Sequence, residues 1–247
     1  MIILKDRKLK IINRNKNEKL KIVITGATSG IGEKLAKGFA EHGYYVEAIG
    51  LGVIPEDRKN IRFTSVNILD GKAILGFINS LERIDVLINA AGIIRREKEL
   101  DPDVFAEVID VNLNGVMRCC SAARPKLSKT NGCIINIASM LSYFGSGLVP
   151  GYSASKGGIF QLTKSLSIAY ALDGIRVNAI APGWITTPMT KELKEDTERN
   201  KMIINRTPMK RWGNPEELVG PAIFLSSESA SFITGTVLNV DGGYAAM

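Results

Sequence analysis

The 247-residue sequence predicts an α/β domain built on a parallel sheet of seven strands. Three observations carry this. From residue 21 onward, short β-branched runs alternate with helical stretches, the pattern of βαβ units. The first run passes directly into Thr25-Gly26-Ala27-Thr28-Ser29-Gly30-Ile31-Gly32, a glycine-rich turn that opens an amphipathic helix. With 45% hydrophobic and 23% charged residues, the composition is that of an ordinary globular chain, long enough for one large domain with a well-buried core.

The strands are expected at KIVIT (21–25), YVEAIG (45–50), IRFTSV (61–66), DVLIN (85–89), CIINIAS (133–139), IRVNAIA (175–181) and TVLNV (236–240). Between them, Asp70 can cap a helix over 71–82, and Asp101 followed by Pro102 is a cap with proline at the first helical position. Ile159, Leu162, Leu166 and Ala169 recur at helical spacing, which puts Tyr152 and Lys156 near the start of a long helix. Asn214, Pro215 and Glu217 supply a cap, a first-position proline and an acid three residues beyond the cap, opening a helix over 215–226. Residues 51–60 are too few for a complete crossover helix. The polar stretch 184–212 is too long for a plain connection and reads as a lid.

The formal charge of +7 is unevenly placed. Residues 1–19 carry seven cations against Asp6 and Glu18, so +5 of it falls in a basic leader and the catalytic-sized remainder, 20–247, is nearly neutral. No aromatic residue interleaves those charges, so a solvated leader is expected rather than a nucleic-acid arm. No apolar run reaches the roughly 18 residues of a membrane span, and a signal peptide's apolar core and cleavage site are missing, so a cytoplasmic protein without nucleic-acid or membrane partners is expected. Cys119, Cys120 and Cys133 lack metal-ligand spacing, and the single histidine, His42, lies near a helix end, so no metal site is expected.

Within the glycine turn, Gly26 permits the tight bend, Gly30 lets backbone approach a ligand and Gly32 allows close packing of helix on strand. The N–H groups at that helix start attract a pyrophosphate. Tyr152 and Lys156, in "YSASK", lie four residues apart and so share one helical face.

With the G-x3-G-x-G turn at one end and this Tyr/Lys pair at the other, residues 20–247 resemble the short-chain dehydrogenase/reductase family. Further matching segments are Asn89-Ala90-Ala91-Gly92, Asn112 in "VNLNG", Ser139 in "NIASM", Pro182-Gly183 with Thr187, and the terminal "VDGG". The resemblance implies a doubly wound Rossmann sheet with helices on both faces, a nicotinamide cofactor and a homotetramer. Asn112, Ser139, Tyr152 and Lys156 become the catalytic set: Tyr152 as the general acid or base, Ser139 bonding the reacting oxygen, Lys156 holding ribose hydroxyls and biasing Tyr152, and Asn112 holding a water that links Lys156 to solvent. A free phenol has a pKa near ~10, and bringing it to ~7 takes about 4 kcal/mol, part of which a fixed ammonium one turn away can supply.

The dinucleotide is expected against Gly26, Thr28, Ser29, Gly30, Ile31, Gly32, Gly50, Leu51, Asn67, Ile68, Asn89, Ala90, Ala91, Gly92, Tyr152, Lys156, Pro182, Gly183, Ile185 and Thr187. The position that reads the ribose 2′ substituent is Gly50, followed by Leu51, so neither the acid of NAD readers nor the arginine of NADP readers is present. NAD is favoured over NADP; Arg58 could swing in to a 2′-phosphate, but a solvated side chain is the favoured reading for it. Asn67 and Ala90 depart from the aspartate and asparagine common in the family.

"GIIRRE" (92–97), "NIASMLS" (136–142), "VPGY" (149–152) and "RWGNPEELVGP" (211–221) resemble the 2-dehydro-3-deoxy-D-gluconate and gluconate 5-dehydrogenases. That likeness implies a sugar-acid substrate, with Arg95, Met140, Ser142 and Trp184 lining its pocket. Arg95 and Arg96 follow the fourth strand, where a guanidinium suits a carboxylate, although pairing with Glu97 or Glu99 is the competing reading. A 3-oxoacyl carrier-protein reductase is the alternative within the same chemistry, and a dinucleotide-binding sensor without turnover is the alternative outside it.

Overall fold

The structure, a computed structural model, describes residues 19–247. The basic leader therefore lies outside the described residues, apart from Lys19, whose ammonium stands 5.2 Å from the centroid of the Tyr45 ring. All seven expected strands form: β1 (Lys21–Thr25), β2 (Tyr45–Gly50), β3 (Ile61–Ser65), β4 (Val86–Asn89), β5 (Cys133–Ile137), β6 (Arg176–Pro182) and β7 (Val237–Val240). They make one sheet in the order β3-β2-β1-β4-β5-β6-β7, every pair parallel. The order reverses between β1 and β4, so their carboxyl ends diverge and leave a crevice at the topological switch point. The helices are α1 (Gly30–Glu41), α2 (Gly71–Ser80), α3 (Pro102–Ile109), α4 (Gly115–Thr130), α5 (Pro150–Ala169), α6 (Lys191–Glu195), α7 (Thr197–Arg206) and α8 (Val219–Ser226).

Two hydrophobic layers hold the sheet. One face packs Val23, Leu87, Ile134 and Val177 under the α2, α4 and α5 side, with Ile74, Cys120, Leu127 and Ile159. The other packs Ile22, Ile24, Ile88 and Ile135 against Leu35, Phe39, Ala222 and Leu225 of α1 and α8. Strands covered on both faces must be apolar at successive positions, which is why β4 and β5 are buried throughout.

Local signals placed most helix starts. Asp70 accepts from Lys72 and Ala73 N–H, and Asp101 from Asp103 and Val104 N–H. Asn214 and Glu217 form the reciprocal capping pair. The helix expected over 215–226 is divided, however: a 3-10 turn at Pro215–Leu218 precedes α8. Pro221 has no N–H to give the Glu217 carbonyl, which weakens a continuous α-helical ladder here, and the α-helical part begins at Val219. His42 caps the end of α1, with Nδ1 2.7 Å from the Gly38 carbonyl.

The β2–β3 connection contains no helix; Arg58 forms an antiparallel bridge to Ile61 instead. Arg58 is exposed, in keeping with a solvated side chain. Because β2 and β3 are parallel, the chain leaving Gly50 must return to the amino ends of the strands before β3 begins. Arg58, three residues before that start, lies beside Tyr45, Asn60 and Ile61, away from the crevice.

Residues 184–212 form two short helices, α6 and α7, which the sequence reading left unassigned. Asp196 caps α7 by accepting from Glu198 and Arg199 N–H. Leu193, Ile203 and Trp212 make a satellite core with Trp184 and Ile204. Among the described residues no helix is long and apolar enough to cross a membrane, and no group of three or more His, Cys, Asp or Glu could hold a metal.

Candidate active site

A cleft of about 450 Å³ opens at the switch point. Its floor is the turn from β1 into α1. Gly26 has φ +67°, and a Cβ there would come within 2.5 Å of Ala91 Cα, so only glycine lets the turn press against the β4 exit. A Cβ on Gly32 would meet the Gly26 carbonyl oxygen at 2.3 Å, which makes it the close-packing glycine. Gly30, at φ +56°, has nothing nearer than Thr187 at 3.8 Å. Its missing side chain leaves space on the cleft side. Ser29, the N-cap, makes no side-chain bond back to the helix, so the first-turn N–H groups stay open for an anion. An uncapped helix start on the floor of this cleft fits the phosphates of a dinucleotide.

Of the residues expected to hold the cofactor, Gly26, Thr28 to Gly32, Gly50, Leu51, Asn67, Ile68, Ala90, Ala91, Gly92, Tyr152, Lys156 and Thr187 line this cleft. Four do not. Asn89 is buried and donates to Asn136 Oδ1 at 2.9 Å and Cys120 Sγ at 3.3 Å, tying β4 to β5 and α4. Pro182 ends β6, and Gly183 packs so closely on Asp241 that a Cβ would lie 2.6 Å from its Cα. Ile185 is buried and bridges to Gly213. At the adenosine end, Thr28 Oγ1 donates to the Leu51 carbonyl at 3.0 Å, and a Cβ on Gly50 would meet Thr28 Cγ2 at 2.9 Å. An acidic side chain at position 50 would therefore displace Thr28.

Tyr152 and Lys156 project from the first turns of α5 into the cleft. Lys156 is buried, its Nζ donates to the Ile137 carbonyl at 2.6 Å, and it stands 5.5 Å from the centroid of the Tyr152 ring. Burial pulls the lysine down to about 8. It pushes the Tyr152 phenol up to about 12, against the opposing pull of the Ser139 hydroxyl and the Arg96 charge. Burial is the leading influence on both groups, beside the expectation that the Lys156 ammonium supplies part of the lowering of the phenol.

Ser139 ends the β5 exit and accepts from Leu141 N–H at 3.1 Å, a cap that fixes its hydroxyl beside Tyr152. Asn112 sits in a π-helical turn, Asp110–Asn114, between α3 and α4. Its amide is spent on both edges of one residue, accepting from Ile93 N–H at 2.8 Å and donating to the Ile93 carbonyl at 2.9 Å, with Ser155 Oγ at 3.2 Å. These bonds pin the cleft wall, where the sequence reading expected a water-holding group.

The four residues expected to meet substrate are dispersed. Met140 is buried in the core. Ser142 donates to the Lys156 carbonyl at 2.7 Å and accepts from Ser139 N–H, so it pins backbone to backbone. Trp184 stacks edge-on against Trp212 and Tyr244 and lines a separate cavity of about 290 Å³. Arg95 borders the cleft but is ion-paired with Glu107 at 2.7 Å, a partner outside the two acids expected from sequence. Arg96, half-buried, donates to the Met189 carbonyl at 3.1 Å and pairs with no carboxylate among the described residues. The sequence reading missed Glu99, which is 1% exposed and bonds Tyr152 N–H. Nothing in its local spacing announces that contact.

Known proteins resemble this chain over most of its length. The family model described as Enoyl-(Acyl carrier protein) reductase matches residues 71–245. A 2-dehydro-3-deoxy-D-gluconate 5-dehydrogenase of Pseudoalteromonas atlantica is 38% identical over 90% of this chain and 94% of its own length. A gluconate 5-dehydrogenase of Gluconobacter oxydans is 37% identical over 90% and 93%. The crystal structure of a gluconate 5-dehydrogenase from Burkholderia cenocepacia in complex with NADP and tartrate is 30% identical, with a TM-score of 0.85 over 92% of this chain and 96% of that one. The chain belongs to the short-chain dehydrogenase/reductase family.

Proposed function

We propose that this NAD(P)-dependent oxidoreductase interconverts a secondary alcohol and a ketone on an open-chain sugar acid. The observation that carries the reading is that the open helix start of α1 and the Tyr152/Lys156 pair line one cleft. The sugar-acid relatives support the substrate class, as does the unpaired Arg96 guanidinium, whose charge-assisted bonding suits a carboxylate.

The bound nicotinamide would supply or accept the hydride. The α1 N–H groups would hold the pyrophosphate, Asn67 and Ile68 the adenine side, and Lys156 the ribose hydroxyls. Tyr152, kept as a phenol by burial, donates its proton to the ketone oxygen in reduction and takes it back in oxidation. Ser139 orients that oxygen through its hydroxyl. Residues 184–212 serve as a lid, supported by the bond from Arg96 to Met189 and the 3.6 Å pair of Arg199 with Glu97, which tie this segment to the loop after β4.

NAD is the favoured nucleotide on our reading, because Thr28, Gly50 and Leu51 leave no cation at the adenosine end and Arg58 lies at the amino ends of the strands. The Burkholderia relative holds NADP, so fluorescence titration with NADH and NADPH decides, and tighter NADPH binding would refute the preference. A homotetramer is supported by large apolar side chains in water, with Phe232 102%, Leu172 95% and Ile168 78% exposed; light scattering tests it. Three buried cysteines are compatible with a reducing cytoplasm.

The function is tested by following NAD(P)H absorbance with 5-dehydro-D-gluconate and 2-dehydro-3-deoxy-D-gluconate against an acetoacetyl thioester. Turnover of the thioester alone would replace the sugar-acid reading with a carrier-protein reductase. Tyr152→Phe should abolish turnover while leaving dinucleotide binding; full activity in that variant would remove the proton-transfer assignment.

A further inference from the structure

Glu99 is a buried carboxylate without a cationic partner. Each of its oxygens is taken by a backbone donor: Oε1 by Arg95 N–H at 2.7 Å and Oε2 by Tyr152 N–H at 2.7 Å. No ion pair reaches it among the described residues, since the neighbouring Arg95 guanidinium turns to Glu107. A charge so placed is costly unless its hydrogen bonds are strong and fixed.

The start of α5 explains what it compensates. The N-cap residue, Val149, has no side-chain acceptor, and Pro150 at the first position has no N–H. The next donors of the helix are orphans by geometry. Glu99 reaches in from the loop after β4, over 53 residues of sequence, and satisfies the one that belongs to Tyr152. Its negative charge also sits at the positive end of the helix dipole. Gly151 leaves room for it: a Cβ there would stand 3.3 Å from Oε2 and 3.2 Å from Phe105.

We propose that Glu99 is a positioning residue for proton transfer, clamping the backbone of Tyr152 to that of Arg95 so that the phenol and the arginine-bearing loop keep one fixed separation in the cleft. This rests on the acid–base reading of Tyr152 above. A carboxylate is needed rather than a neutral amide, because both partners are N–H donors. Glutamine has one oxygen to offer and would set its own NH2 against the other donor.

The full-length protein is tested as Glu99→Gln and Glu99→Ala beside Tyr152→Phe. With 5-dehydro-D-gluconate, kcat is expected to fall about ten- to a hundred-fold in both Glu99 variants, the loss that a misplacement near 1 Å causes. The NADH dissociation constant should stay within about two-fold, because the glycine cradle is untouched. Amide hydrogen exchange, read by NMR without turnover, should accelerate at Tyr152 and Arg95 and remain unchanged beyond the first two turns of α5. Unaltered exchange at both amides, or unaltered kcat, would overturn the proposal, and so would parallel loss of kcat, NADH binding and melting temperature. Should Glu99→Ala fail to fold, the nearly isosteric Glu99→Gln decides. Retained turnover in Tyr152→Phe would instead overturn the acid–base reading, which keeps the two failures distinct.

Discussion

The ammonium of Lys156 donates to the carbonyl of Ile137, the last residue of β5, at 2.6 Å. That bond crosses from α5 to the sheet and holds a cation in a place where burial lowers its pKa from 10.5 to about 8. The unfolded chain therefore binds more protons than the folded one between about pH 8 and 10.5. Stability contributed at this site rises across that window, and the burial penalty acts in full below pH 8. At about 1.36 kcal/mol per pH unit the penalty is about 3 kcal/mol, part of it offset by the Ile137 bond.

Lys156→Met should accordingly be inactive yet more stable than the parent protein at pH 7, by about 1–2 kcal/mol. Denaturant melts at pH 7 and pH 10 check this. The advantage should shrink at the higher pH, where the native lysine is neutral.

The phenol of Tyr152, pushed up to about 12 by burial, is in its donor form throughout the neutral range. Ketone reduction needs that form and alcohol oxidation needs its conjugate base. The kcat/KM of oxidation should rise with pH between 7 and 9 with a slope approaching one decade per pH unit, while that of reduction stays flat. Initial rates in both directions across that range provide the measurement, and a flat oxidation profile would count against Tyr152 as the base.

The two left-handed glycines of the cradle should respond differently to alanine. Gly26→Ala drives a methyl group into the Ala91 backbone at 2.5 Å and should cost more than about 3 kcal/mol. Gly30→Ala meets only Thr187 at 3.8 Å, so it should cost about 1 kcal/mol of stability through backbone strain. Its methyl group faces the ligand space, so dinucleotide affinity should fall while the fold survives. Thermal melts paired with NADH titration separate the two effects.

Arg95 and Arg96 are adjacent in sequence and unlike in situation. Arg95 is neutralised by Glu107 at 2.7 Å, whereas among the described residues Arg96 bonds only the Met189 carbonyl. Arg96→Ala should raise KM for a sugar acid about ten-fold or more, the loss of one charge-assisted contact. Arg95→Ala should change it less, and a neutral polyol analogue should be insensitive to both. Steady-state kinetics with the acid and the polyol give the comparison.

Much of this molecule is written in short-range pattern. The β-branched runs, the caps at Asp70 and Asp101, the glycine turn and the four-residue spacing of Tyr152 and Lys156 depend on neighbours within a helical turn, and strand, turn and helix emerge where those patterns stand. The tertiary structure alone decided the rest: that Arg58 lies at the amino ends of the strands, that Met140 is core and Ser142 a backbone pin, that Arg95 rather than Arg96 is ion-paired among the described residues, and that Glu99 meets Tyr152. It also decided the electrostatics of Tyr152 and Lys156. Desolvation depends on every atom that replaces water around a group, and those atoms arrive from β5 and the loop after β4, well away in sequence, so no local spacing encodes them.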